Sequence, residues 1–257
     1  MLNIKTKMIM CAGCVLMPIL ASAAWLGKGE AGAALSNNST GAYSTSFVGK
    51  VDLYKEVEQW KYAFGASTVY TSSKGEAKAD DPTPIEKTAA DRWEVHHQTD
   101  YRLNAKAFLF GGLRYENDKV GSYQFQSVLS TGLGYKWFET TETKLITDLG
   151  VGYKRFKPQS PSEGSSDSEA VVTGLIDLKQ SLSVNTALLN KFSIESGSSN
   201  TLFQNDLALQ TKMTDVLALS LDYQLRYNTK PLSSEFTHRQ YAHTDRLLTA
   251  NLVYEFK

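Results

Sequence analysis

Between residues 216 and 227 apolar and polar side chains alternate without a break. Leu217, Leu219, Leu221, Tyr223, Leu225 and Tyr227 fall on one face, and Ala218, Ser220, Asp222, Gln224 and Arg226 on the other. A period of two belongs to an extended strand with one apolar and one polar side. The same rhythm recurs in the segments 27–36, 41–54, 59–72, 92–102, 105–117, 124–138, 143–155, 170–181, 186–195, 201–212 and 244–256. Each reaches the roughly 9–11 residues that a tilted strand needs to cross a bilayer. The pattern predicts an all-β protein: a transmembrane antiparallel up-and-down β-barrel of about 12 strands.

The connections strengthen that expectation. Counted from the first, the long ones (73–91, 156–169 and 228–243) all fall at odd positions, and every even one is short. Outer-membrane barrels show this asymmetry, with short periplasmic turns, longer extracellular loops and, for an even strand count, both termini on the periplasmic side. Pro82, Pro84, Pro158, Pro161 and Pro231 all fall in those three long connections, as they should if proline is kept out of a closed ladder.

The chain divides into residues 1–23, a leader, and 24–257, the barrel domain. Lys5 and Lys7 open the leader, residues 8–20 form its apolar stretch, and Ala21-Ser22-Ala23 is the cleavage site of a secretory signal peptide. That run is shorter than the ~18 residues of a spanning helix. Cys11 and Cys14 both lie in the leader, which leaves the barrel without thiol, disulfide or Cys-based metal site. Basic and acidic residues number 27 each; without Lys5 and Lys7 the net charge is about −2, which implies neither nucleic acid nor an anionic surface as a partner.

Aromatic residues cluster at the predicted strand ends: Trp25, Trp60, Trp93 and Trp137, with Tyr54, Tyr62, Tyr70, Tyr101, Tyr115, Tyr135, Tyr153 and Tyr254. Rings at two levels are what the two membrane interfaces require, whereas a soluble sandwich places most of them mid-strand. The last strand presents Leu248, Ala250, Leu252, Tyr254 and Phe256 on one face, similar to the C-terminal signal read by the outer-membrane assembly machinery; Lys257 follows where that signal usually ends on Phe. A soluble ligand-binding barrel would show the same alternation with inside and outside exchanged, but twelve strands exceed the eight of such barrels.

Five stretches carry a family likeness: Phe110-Gly-Gly-Leu-Arg-Tyr-Glu116, Ser130-Thr-Gly-Leu-Gly-Tyr-Lys136, Asp148-Leu-Gly-Val-Gly-Tyr-Lys154, Ser220-Leu-Asp-Tyr-Gln-Leu-Arg-Tyr-Asn228 and Asn251-Leu-Val-Tyr-Glu-Phe256. In order and spacing they resemble the YdiY-like salt-induced outer-membrane proteins, a family of unknown function. The resemblance covers nearly the whole chain after the leader. It implies a Gram-negative outer-membrane barrel with a link to salt stress, and it supplies no catalytic or cofactor-binding residue. Gly111, Gly112, Gly132, Gly134, Gly150 and Gly152 alternate within three successive strands and open no helix, which excludes a nucleotide loop. They are expected to let the sheet bend and to leave lumen space for long charged neighbours.

With apolar rows against lipid, the lumen receives Lys50, Asp52, Lys61, Glu94, Asp100, Arg114, Glu116, Lys136, Asp148, Lys154, Asp177, Lys179, Asp206, Asp222, Arg226 and Glu255, together with His96, Gln98 and Gln224. Either these pair across strands and fill the barrel, or they line a narrow, porin-like water path for ions or small solutes. Twelve strands lie between filled eight-stranded barrels and open porins, and the filled or narrowly conducting lumen is the favoured expectation. A hydrolase needs a Ser/His pair. Of the four histidines, His96 and His97 are adjacent and point to opposite faces, with Thr99 and not serine beside His97, while His238 and His243 share the last long loop. Two histidines are thin support for a metal. The expectation is a non-enzymatic protein, without cofactor, in contact with outer-membrane lipid, lipopolysaccharide and the assembly machinery.

Overall fold

A computed structural model describes residues 25–37, 43–74, 86–159, 166–230, 233–234, 239–240 and 243–256; the leader and its cleavage site lie outside them. Twelve strands close into one barrel: β1 (Leu26–Asn37), β2 (Tyr43–Val57), β3 (Trp60–Lys74), β4 (Glu86–Arg102), β5 (Ala107–Asp118), β6 (Tyr123–Glu139), β7 (Thr143–Pro158), β8 (Asp167–Ser181), β9 (Thr186–Ser196), β10 (Thr201–Lys212), β11 (Leu217–Asn228) and β14 (Thr244–Phe256). A two-stranded hairpin, β12 (Ser233–Ser234) with β13 (Arg239–Gln240), stands in the last long connection. Every barrel strand pairs antiparallel with its neighbour, and β14 returns to β1 over seven rungs, from Gly27 opposite Phe256 to Ala33 opposite Ala250.

The strands outrun their predicted limits at the loop end. β3 continues to Lys74 and β4 begins at Glu86, so part of the expected 73–91 loop is ladder. β7 ends on Pro158, which therefore stands in a strand and not in a loop; as the terminal residue it removes little from the ladder. At the opposite end, which carries both termini, the expected two-residue turn after β4 is a four-residue one. Asn104 builds it by accepting hydrogen bonds from the backbone N–H groups of Lys106 (2.9 Å) and Ala107 (2.8 Å).

Sidedness follows the period of two. Leu129, Leu133, Leu149, Val151, Leu219, Leu221, Leu248 and Leu252 stand exposed on the outer wall, Leu149 by 68%. On the same wall aromatic rings form two belts. One, near the terminal end, holds Trp60 with Tyr62 and Tyr101, Tyr135 with Trp137, and Tyr254 with Phe256. The other joins Trp93, Tyr115 and Phe125, then Phe192, Phe203, Tyr227 and His243. On β4 the eight steps from Trp93 to Tyr101 cover ~27 Å of strand, or ~20 Å of height at a tilt near 40°. That is close to the ~25 Å apolar band of an outer-membrane barrel.

Inside, Phe108, Phe110 and Ile146 form an apolar plug in the terminal half. Here the glycines make room for aromatic rings as well as for a charged chain. A Cβ on Gly134 would run into the Phe108 ring and lie 2.6 Å from Oδ1 of Asp148, and one on Gly150 would lie 2.8 Å from the Phe110 ring. Gly111 faces outward with nothing within 4 Å.

Candidate functional site in the lumen

Above that plug, toward the loops, β4, β5, β7, β9 and β11 converge their charged side chains on one layer. Arg226 on β11 donates to both carboxylate oxygens of Glu116 on β5, at 2.9 and 3.1 Å. Six steps separate β5 from β11 either way round the ring of twelve, so this pair spans the diameter. Both groups are buried, Glu116 to 3% exposure, and Gln126 donates to the same carboxylate at 3.1 Å. Arg114 adds a second crossing: it reaches Glu195 on β9 at 2.5 Å while also facing Glu94 at 3.3 Å and Glu116 at 3.5 Å. Lys154 on β7 meets the other oxygen of Glu195 at 3.0 Å with its ammonium 5.3 Å from the Tyr123 ring and 5.5 Å from that of Phe156. At 1% exposure it is among the most enclosed side chains of the protein. Charges buried this deeply are tolerated only when paired and hydrogen-bonded.

Around this layer the other expected residues take lesser roles. Lys50 bonds Asp222 at 3.0 Å and lies 3.7 Å from Glu30; Asp222 also accepts from Ser220. Asp206 accepts from Gln204 (2.8 Å) and Gln224 (2.7 Å), and Arg92 donates to Gln224 across the barrel at 2.8 Å. His96 sits 3.5 Å from Glu94. Gln98 donates to Asp100 (2.8 Å) and, at 3.4 Å, to Asp148. Asp52 stands opposite Lys28 on β1.

A third group is not drawn into the layer and stays at the terminal mouth. Lys61 lies 5.9 Å over the Tyr54 ring, Lys136 bonds Glu139 at 3.0 Å, and Glu255 faces Lys212 at 3.5 Å. Asp177 and Lys179, on the inward row of β8 that starts at buried Val171, are open to water. This mouth narrows to a small cavity of about 30 Å³ with Glu56, Lys61, Asp100, Lys106, Lys136 and Phe108 on its walls.

Three members of the network, Glu195, Arg92 and Glu30, escape a reading of strand interiors. Glu195 and Arg92 sit at predicted strand ends, where the pattern is weakest, and Glu30 lies between glycines. Parity would have found them: Glu195 shares a face with Lys191, and Arg92 with Glu94. Of the histidines, His97 on the outer wall bonds Thr99 (3.0 Å), His243 contacts the Asn228 carbonyl (2.8 Å) through Nδ1, and His238 lies outside the described residues.

A closed twelve-stranded wall with an apolar exterior, two aromatic belts and a charged interior defines the class: this is an outer-membrane-type β-barrel. Within it, the chain belongs to the family described as protein of unknown function, DUF481, which matches residues 30–256. Solved structures agree on the fold. The COG4313 outer membrane channel from Pseudomonas putida F1 is similar at a TM-score of 0.50 and 11% identity, covering 90% of this chain and 95% of that one. The NanC porin (TM-score 0.47, 13% identity, 89% and 97% covered) and the KdgM porin (0.45, 9%, 91% and 100%) are more distant in shape. Among curated proteins none matches.

Proposed function

We propose that this chain is a non-enzymatic outer-membrane barrel, exported by a cleaved leader, whose lumen is closed by a layer of ion pairs. In this reading the termini face the periplasm, lipid and lipopolysaccharide coat the wall, and the β14 face ending at Phe256 is presented to the assembly machinery. The observation that carries it is the diametric pair Arg226–Glu116, flanked by Arg114–Glu195 and Lys154–Glu195. A guanidinium and a carboxylate that meet from opposite walls, with the Arg114–Glu195 pair beside them, obstruct the lumen at that height. The role is in envelope integrity under salt or osmotic stress, a link supported by the family resemblance alone.

The test is a planar-bilayer recording of the purified barrel. Closure predicts a silent membrane at moderate voltage, and steady conductance proportional to salt concentration would overturn it. A second reading, a narrow channel for ions or small solutes, is favoured by one observation: Asp177 and Lys179 on the inward face are exposed. It fits the shared fold with an outer membrane channel. In that case the wild-type barrel conducts with small, discrete steps. Insertion is checked separately, by fractionation with the outer membrane and by faster gel migration before boiling than after.

A further inference from the structure

Lys144 on β7 and Lys179 on β8 are directly opposed on the inward face. Such pairs bring Cβ atoms within about 5.5 Å, and like charges there are destabilising. On β6 the residue opposite Lys144 is Glu139, and Lys136 lies diagonally, its own rung partner being Ile146, two residues beyond Lys144. Lys61 and Lys106 face the same mouth across the cavity. Lys144 lies in the fields of both Lys61 and Lys136, as well as those of Asp177 and Glu139.

The nearby carboxylates are mostly engaged. Glu56 faces Arg102 (3.4 Å), Glu139 holds Lys136, and Asp100 accepts from Gln98. Among the described residues, neither Lys61, Lys106, Lys144 nor Lys179 has a carboxylate within 4 Å, while Asp177 is the nearby acid left over. Ammonium groups concentrated over a floor of Phe108 and Ile146 are a setting that a multivalent anion would relieve. The layer above makes the mouth a blind cup, so a ligand enters and leaves from one side.

We propose that this mouth binds a small soluble oligoanion, a di- or tricarboxylate or a phosphate, gripped by Lys144 and Lys179 with Lys61 opposite. That the cup opens to the periplasm rests on the reading above; binding in detergent does not, so the two stand or fall separately. The experiment titrates sodium citrate into the full-length folded barrel in zwitterionic detergent by calorimetry, at ionic strength near 0.1 M where long-range steering is damped. Expected is saturable one-site binding that weakens at least about tenfold in K144Q/K179Q. K119Q, at the loop end where Lys119 pairs with Asp91, serves as the control and binds as wild type. Folding of each variant is read from its gel mobility before boiling. Without citrate, K144Q/K179Q resists urea better than wild type because a repulsion is gone, and citrate stabilises only the wild type. Absence of binding up to ~10 mM citrate, equal binding by K144Q/K179Q, or an equal loss in K119Q overturns the proposal.

Discussion

Cutting the diametric pair from one side is the sharpest test of a dry, closed lumen. In Glu116→Ala the Arg226 guanidinium, bonded twice at 2.9 and 3.1 Å, loses both contacts while remaining buried. Arg114 is spared, because Glu94 and Glu195 still hold it. An uncompensated buried charge costs about 3–5 kcal/mol, so the folding constant falls by about two to three and a half orders of magnitude at 1.4 kcal/mol per decade. Replacing both partners in Glu116→Met/Arg226→Met removes the charge problem and keeps most of the volume. Its stability is expected within about 2 kcal/mol of wild type, on either side. The assay is urea unfolding in lipid vesicles followed by tryptophan fluorescence, arranged as a double-mutant cycle with both single variants. A coupling energy above about 2 kcal/mol supports the enclosed pair. A coupling under about 0.5 kcal/mol, the value of a water-screened surface bridge, would refute it and reopen the lumen to solvent.

Three further outcomes follow from the same geometry. Leu149→Arg, at the most exposed outer-wall leucine, should cost about 2–4 kcal/mol in vesicles if it sits near the membrane midplane; an unchanged urea midpoint would mean that this face meets water. Gly132→Ala puts a Cβ 2.2 Å from the Leu149 backbone carbonyl, whereas Gly111→Ala meets nothing, so the first should lose about 1–3 kcal/mol and the second remain near wild type in the same unfolding assay. Glu195→Gln leaves buried Lys154 without its carboxylate and takes from Arg114 its shortest contact, so it should be worse than Lys154→Met, after which Glu195 keeps Arg114; equal urea midpoints would remove the bridging role given to Glu195.

The strand count, the sidedness and the placement of the turns are all legible in the sequence, because a strand that separates hydrocarbon from a polar lumen must keep strict parity. β10 and β14 are read to their end residues. What fails is local. Past the membrane the constraint on parity lapses, so the ladder of β3 and β4 runs unannounced through polar Ser, Thr and Lys. The charges are likewise legible as a set, but not as partners. Alternation says that Glu116 and Arg226 both face inward; that they meet depends on how a closed ring folds residue 226 back across residue 116. The glycines show the same gap, since their bare α-carbons are readable while the Phe108 and Phe110 rings that fill the space come from another strand.

The short seam between β1 and β14 has a consequence for how the protein is made. Every other rung joins strands that are neighbours along the chain, or nearly so, and can zip up as local hairpins. The seam joins the two extremes, and its entropic cost rises only slowly with loop length, by about 0.6 kcal/mol per doubling. The difficulty is one of timing. Until those seven rungs form, the nascent sheet carries two raw edges of unpaired N–H and C=O groups, a template for joining another molecule. Those edges stay open to such joining until the ring snaps shut, so the seven seam rungs set how long the half-made barrel is vulnerable.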